Sequence, residues 1–330
     1  MKKINWALIG AGTIANKRVC PAIVSEQRSK LQLIVDKDIS KAQALSVMYG
    51  CEKYSSRFED AIQSNDIDAI YIATPVFLHS SQTIAAINAG KHVICEKPLG
   101  IDFQSADRVV KAAEASSVKS TTAYFRRFYP KYSYVKNMLE NQKFGKVLLI
   151  RMCYHTWTQI NPDSPIFWRT EKKLSGGGII ADMGSHMFDV LIGLFGVPSS
   201  VFAKMRNLVF DYDVEDSSAV MMEYKNGFLV TASFNWNSKT YAHEFEVLGT
   251  EAKTRWIPYD GDKITVITGS QTEEIDLPNH KNVHYPLIED FVSSIIENRS
   301  PLISMEEAAK TNLLIDACYQ SSAQCKEINL

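Results

Sequence analysis

Charge imbalance is the first thing this sequence lacks: 36 Lys and Arg stand against 37 Asp and Glu, a formal net charge of -1 over 330 residues. There is no basic excess to draw nucleic acid or an anionic membrane, so neither is expected as a partner. Paired cysteines are missing too. The six, Cys20, Cys51, Cys95, Cys153, Cys318 and Cys325, are scattered without a C-x-x-C spacing, which suits free thiols in a reducing compartment better than a disulfide framework. No apolar run reaches the ~18 residues of a membrane span. The start, MKKINWALIGAG, runs into a glycine turn with no secretory apolar region or cleavage site, and a cytoplasmic protein is expected. Repeats, low-complexity segments and long linkers are absent as well. What remains is an ordinary globular composition, 45% hydrophobic and 22% charged, in a chain longer than the usual domain of ~100–200 residues, so two domains are expected.

The apolar pattern divides the chain. INWALI (4–9) reads as a strand, the following stretch as a helix despite Pro21, LQLIVD (31–36) as a second strand, 40–50 as a helix closed by Gly50, and DAIYIATP (68–75) as a third strand. Helix 78–89, strand HVICEK (92–97), helix 102–116 and a short strand in KSTTAYF follow. Strands alternating with helices of this length predict right-handed βαβ units and a doubly wound parallel sheet, a Rossmann domain spanning 1–123. From about 146 the texture changes to alternating runs, KVLLIRMCYHT, SSAVMMEYK, FLVTASFNW, HEFEVLG and KITVITG. These predict antiparallel strands in an α/β domain over 124–330, with one sheet face on helices and the other free for a partner. Helices are expected at 181–195, 286–297 and 305–322, the last opened by the capping pair Ser304 and Glu307.

The motifs fall where chemistry would need them. Gly10-Ala11-Gly12-Thr13-Ile14-Ala15 fits G-x-G-x-x-A between strand and helix, a loop that lets backbone approach a pyrophosphate at a helix N-terminus. Asp36, 24 residues beyond Gly12, ends the second strand, where an acid accepts from ribose hydroxyls and repels a 2'-phosphate. NAD is therefore expected over NADP, with Lys37 able to offset that repulsion and leave NADP possible. Thr74, Pro75 and His79 share the same carboxyl edge and would flank the nicotinamide. Lys97, in Glu96-Lys97-Pro98, ends the fourth strand on that edge, where ligands bind open α/β sheets. In the second domain Asp182 and His186 are spaced i, i+4 on one helix face, with Asp189 extending the stripe beside an apolar one. No third ligand falls at metal spacing, so no metal is expected. Trp157, Trp168, Tyr124, Arg126, Arg127 and Arg169 are candidates for a sugar site, because aromatic faces stack on sugar faces and charged groups bind hydroxyls.

GAGTIA, DAIYIATPVFLH, AGKHVICEKPLG, FRRFYP, FWR before LSGGGIIADMGSHMFD, and LGTEAK together resemble the Gfo/Idh/MocA family of nicotinamide-dependent sugar and polyol oxidoreductases, in order and over nearly the whole chain. The resemblance implies a second domain with a large, open, mostly antiparallel sheet that makes a homodimer or homotetramer contact, and last helices that pack back toward the first domain. It implies Lys97 near nicotinamide and substrate, Asp182 and His186 as the substrate-binding and acid/base pair, Glu96, Thr74, Pro75 and His79 lining the cofactor, and Trp168-Arg169 and Tyr285 approaching it. The substrate set expected is Lys97, Tyr124, Arg127, Trp157, Asp182 and His186. Two positions depart: Val76 replaces an Asn that many members carry, which removes a nicotinamide-side hydrogen bond, and Ala252 replaces a Gly. The expected activity is hydride transfer between the cofactor and a carbinol or ketone carbon of a sugar, inositol or related polyol. Alternatives on the same fold are a redox-assisted glycosidase with bound NAD and a non-catalytic NAD-binding regulator.

Overall fold

The computed structural model describes residues 3–330. The chain divides into two units, one comprising residues up to Phe125 together with His280–Ala309, the other Arg126–Asn279 together with Lys310–Leu330. The sequence boundary at 123/124 lies beside the first of these changes, and the segment 280–309 belongs to the first unit.

The first unit is built on strands β1 (Ile4–Ile9), β2 (Ser29–Val35), β3 (Lys53–Ser55), β4 (Ala69–Ile72), β5 (His92–Cys95) and β6 (Ser120–Thr122), in the order β3-β2-β1-β4-β5-β6. Every neighbouring pair is parallel. The two halves wind outward from between β1 and β4, the dinucleotide-binding order. The central strands are buried on both faces, which explains their near-continuous apolar runs. Helices α1 (Cys20–Ser25), α2 (Ile39–Tyr49), α3 (Glu59–Ile62), α4 (His79–Asn88) and α5 (Phe103–Glu114) connect them. Pro21 is accommodated because a wide π-type turn over Ala15–Val19 precedes α1 and leaves the proline at its first turn, where its missing N–H is not needed. Asp102 and Ser105 cap α5 reciprocally, at 2.7 and 3.2 Å. The short β3 and α3 escaped the sequence reading, since Lys53–Ser55 carries no apolar run.

The second unit holds α6 (Pro130–Glu140), β7 (Val147–Trp157), α7 (Lys172–Ser175), α8 (Ser185–Phe195), β8 (Ser200–Arg206), β9 (Ser217–Glu223), β10 (Leu229–Asn235), β11 (Asn237–Gly249), β12 (Ala252–Trp256), β13 (Lys263–Thr268) and β14 (Gln271–Asp276). Helix α9 (Tyr285–Ile296) belongs to the first unit, helix α10 (Met305–Gln324) begins there and ends in the second, and β15 (Ile328–Asn329) closes the chain. The nine-stranded sheet runs β14-β13-β12-β11-β7-β10-β9-β8-β15. It is antiparallel except where β7 and β10 pair in parallel, Leu149 opposite Leu229. From Ser218 onward strand β9 alternates between buried and exposed, so one face meets a core and the other meets water. Lys172–Phe195 is a helical stretch of 24 residues, long and apolar enough to cross a membrane, an exception to the expectation of no such segment; 72% of its apolar window is buried, as a core helix would be.

Candidate functional site

The glycine loop of the first unit is shaped by contact rather than by flexibility. Gly10 sits at φ +98°, and a Cβ there would lie 2.6 Å from the Ala73 carbonyl oxygen, so only glycine fits. Nothing stands within 4 Å of where a Cβ on Gly12 would point, and that open space is where a pyrophosphate would need to approach. Asp36 ties the loop down: its carboxylate accepts from the Ala11 N–H at 2.7 Å and the Asp38 N–H at 2.9 Å. Lys37 beside it is exposed. The residues present therefore fit a dinucleotide, with the acid held by one backbone bond from the loop and one from the turn after β2.

Further along the carboxyl edge, the turns after β4 and β5 are joined through His79. Its Nδ1 lies 2.7 Å from the Pro98 carbonyl oxygen and its Nε2 2.8 Å from that of Thr74. Both oxygens only accept, and a neutral imidazole donates from one nitrogen at a time. Burial lowers the pKa of this ring, which is 1% exposed, while the two carbonyls pull the other way. The Thr74 hydroxyl donates to Gln82 Oε1 at 2.7 Å. Glu96, buried, accepts from the Tyr71 hydroxyl at 2.7 Å, and His284 Nε2 stands 3.4 Å from the same oxygen. Burial pushes the Glu96 carboxyl up, and His284, Tyr71 and Lys97 together more than offset it, so its pKa falls below the ordinary value. Lys97 follows directly, half-buried at the strand end.

Tyr285 sits apart from this group. Its ring stacks on His280 at 4.7 Å, its hydroxyl donates to Glu289 at 3.4 Å, and burial first, then the charges of Glu289 and of Glu26, before the amino end of β2, raise its pKa against the pull of Arg28. Its neighbour His284 reaches Glu96 instead, a residue the sequence reading passed over because nothing in its spacing ties it to β5. Tyr124, expected at the substrate, is fully buried just past β6.

In the second unit Asp182 and His186 occupy the head of the buried helix. Asp182 lies in a π-type turn, Ile180–Gly184, and His186 in the first turn of α8. Asp182 pairs with Arg169 at 3.3 Å, and the Arg169 guanidinium lies 5.6 Å from the Trp168 ring centre. The Trp168-Arg169 pair, expected at the cofactor, is thus joined to the helix head that carries Asp182 and His186. His186 is 6% exposed. Trp157 ends β7 with 41% of its surface exposed, Phe210 edge-on at 5.2 Å and the Lys239 ammonium 5.0 Å from its ring centre. Asp216 builds the loop that carries Phe210: its carboxylate accepts from the backbone N–H groups of Leu208, Val209 and Phe210, each at 2.9 Å.

Arg127 does not join this surface. It is 5% exposed and closes an ion pair with Asp189, 0% exposed, at 2.8 Å. Its neighbour Arg126 grips Asp260 with two bonds, 2.8 and 2.7 Å. Burial raises the Asp260 carboxyl, but Arg126 foremost, with His243 and Tyr129, brings it down to about 2. Tyr154, raised by burial and then by the charge of Asp182, also feels Tyr241 and Arg126, so a polar wall runs from Asp182 through Tyr154 and Tyr241 toward Asp260. Tyr154, Tyr241 and Asp260 went unread in the sequence because they lie on three separate elements with no shared spacing. No group of three or more His, Cys, Asp or Glu stands at metal-holding positions among the described residues.

Residues 4–124 match the family described as "Oxidoreductase family, NAD-binding Rossmann fold", and residues 132–255 match the "GFO/IDH/MocA C-terminal domain". The chain is 30% identical to Oxidoreductase P35 of Formosa agariphila over 318 residues, 95% of this chain and 98% of that one. It is 29% identical to 1,5-anhydro-D-fructose reductase of Ensifer adhaerens over 248 residues, 74% of this chain and 73% of that one. The solved structure of a levoglucosan dehydrogenase in complex with NADH and levoglucosan has the same fold, with a TM-score of 0.92 at 23% identity over 99% of each chain.

Proposed function

This chain belongs to the Gfo/Idh/MocA family of NAD-binding oxidoreductases, and on that premise we propose that it oxidises a carbinol carbon of a sugar or related polyol, or reduces the matching ketone. The observation that carries the reading is the head of the buried helix: a nearly buried His186 and an Asp182 already paired with Arg169, in a chain whose other unit binds NAD. NAD, when bound, supplies the hydride acceptor, and NADH the donor. His186 takes the hydroxyl proton in oxidation and returns it in reduction. Asp182, with Arg169 beside it, holds a neighbouring hydroxyl. Lys97 stabilises the negative charge developing on the reacting oxygen, a role that suits an ammonium at the carboxyl edge of the sheet. Trp157 offers an exposed aromatic face for a sugar ring. Asp36 favours NAD over NADP, because a 2'-phosphate would meet a carboxylate fixed by two backbone bonds.

On the sheet, Met221 of β9 and Leu229 of β10 are 50% and 42% exposed, and we place a homodimer or homotetramer contact on that face. All six cysteines are thiols, which suits a cytoplasmic enzyme.

The test is a screen of sugars, inositols and keto sugars, following the absorbance of reduced nicotinamide, with Lys97→Met and His186→Ala alongside. Loss of roughly 10²- to 10⁴-fold in kcat is expected for each. Both variants turning over within a few-fold of wild type would sink the assignment. Sugar release with no net change in NADH would mark the glycosidase chemistry instead.

A further inference from the structure

Glu215 stands between β8 and β9, outside every motif of the sequence, and 7% of its surface is exposed. Three successive backbone N–H groups end on it. The Gly178 N–H donates to Oε2 at 3.1 Å, the Ile180 N–H to Oε1 at 3.1 Å, and the Ile179 N–H to the Glu215 carbonyl at 3.2 Å. These are donors that a helix start leaves without partners inside the helix, and the segment they open is the one that carries Asp182 and His186. The Tyr319 hydroxyl, from α10, closes on the same carboxylate at 2.9 Å to each oxygen.

The sequence is cut to allow this approach. A Cβ on Gly177 would lie 1.7 Å from the Tyr319 hydroxyl oxygen, and one on Gly178 would lie 2.0 Å from the Glu215 carbonyl oxygen. Gly177 and Gly178 therefore stand where two partners press against backbone, while Gly176, at φ +80°, closes α7 in the left-handed conformation that glycine favours. Burial pushes the Glu215 carboxyl above its ordinary range, against the pull of the backbone N–H groups and the Tyr319 hydroxyl and of the peptide dipoles at the helix start. Directly after Glu215, Asp216 gathers the loop that seats Phe210 against Trp157. Adjacent acids thus fix the head of the acid/base helix and the aromatic wall.

We propose that Glu215, braced by Tyr319, is a positioning residue for the reaction: it sets the depth and rotation of the turn that presents Asp182 and His186. The proposal rests on the reading of those two residues as the substrate-binding and acid/base pair. Misplacing a reacting group by about 1 Å can cost roughly a hundredfold in rate. Glu215→Gln keeps the side-chain length but puts an amide N–H₂ where one oxygen accepted a backbone N–H.

The experiment measures kcat per NADH-binding site, the sugar KM, the NADH Kd by fluorescence titration, and the solvent deuterium isotope effect on kcat. For Glu215→Gln we expect kcat per site to fall roughly ten- to hundredfold, the NADH Kd to stay within about twofold, and the solvent isotope effect to rise as proton transfer becomes slower. Wild-type kcat per site overturns the proposal, and so does a loss wholly explained by fewer NADH sites, the mark of a merely structural role. If Glu215→Gln does not fold, Tyr319→Phe carries the test, with a fall of roughly three- to tenfold expected on loss of one hydrogen bond and no change overturning it. His186→Ala is run in parallel. If it retains activity, the site reading itself fails; if it is dead while Glu215→Gln is normal, only the positioning role fails.

Discussion

Replacing Arg127 by Met should weaken the protein without touching its substrate. The Arg127 Nε lies 3.0 Å from each Asp189 oxygen and Nη2 lies 2.8 Å from Oδ1. With the two side chains 5% and 0% exposed, water cannot take over either charge when its partner leaves. Removing one member of such a pair costs about 3–5 kcal/mol, because a buried carboxylate stays behind. At about 2–4 °C per kcal/mol for a domain of this size, the thermal transition of the second unit should drop by roughly 10 °C. Arg127→Met combined with Asp189→Leu removes both charges and should recover most of that loss, since well-packed apolar replacements of buried pairs are often neutral or better. Differential scanning calorimetry of wild type, the single and the double variant reads these shifts. Steady-state kinetics at a temperature where all three are folded should give the same sugar KM. A single variant that melts with wild type yet shows a tenfold higher sugar KM would refute this reasoning and return Arg127 to the substrate site.

The glycine loop separates two effects that sequence alone merges. Gly12→Val, pointing into open space, should leave the melting temperature within a few degrees while abolishing NADH fluorescence enhancement; Gly10→Ala, whose Cβ would meet the Ala73 carbonyl at 2.6 Å, should lower the melting temperature itself. His243 should make the protein acid-sensitive: burial, with Arg126 and Lys131, lowers its pKa from 6.5 to about 4 against the pull of Asp260, and its Nε2 has no hydrogen-bond partner among the described residues. The unfolded chain then takes the proton first, so this stability is present above about pH 6.5 and is lost progressively toward pH 4, about 3 kcal/mol at ~1.4 kcal/mol per unit. Melting temperature against pH should be flatter over that window for His243→Gln, and an unchanged slope would count against a neutral, buried His243.

The parallel, doubly wound character of the first sheet, β3 apart, was open to reading in advance because parallel strands buried on both faces announce themselves as short apolar runs with glycine or proline at their ends. Helix α8 was equally plain, His186 and Asp189 riding beside an apolar stripe. The π-type turn at Ile180–Gly184 was not, since it arises where three N–H groups are pinned by Glu215, a residue far away in sequence. The same limit hid His284 and Asp260, whose partners Glu96 and Arg126 are reached only after the chain has folded. Arg126 and Arg127 show the limit most sharply. Adjacent and chemically identical, they face different aspartates, Asp260 partly open to water and Asp189 sealed from it, and no property of the dipeptide says which goes where.

The segment His280–Ala309 finishes the first unit only after the second unit's main span, Arg126–Asn279, has been made. Trp6, wholly buried, has its ring centre 5.8 Å from that of Phe291, and Arg28 reaches Ser293 at 3.1 Å. During synthesis, then, the NAD-binding unit leaves the ribosome with an apolar flank uncovered and Glu96 still waiting for His284. Most of the second unit emerges while the first is unfinished, so the order of the gene is not the order in which the two halves can mature. A fragment ending at Phe125 would carry every nucleotide-loop residue and still lack the α9 side chain, Phe291, that packs beside Trp6.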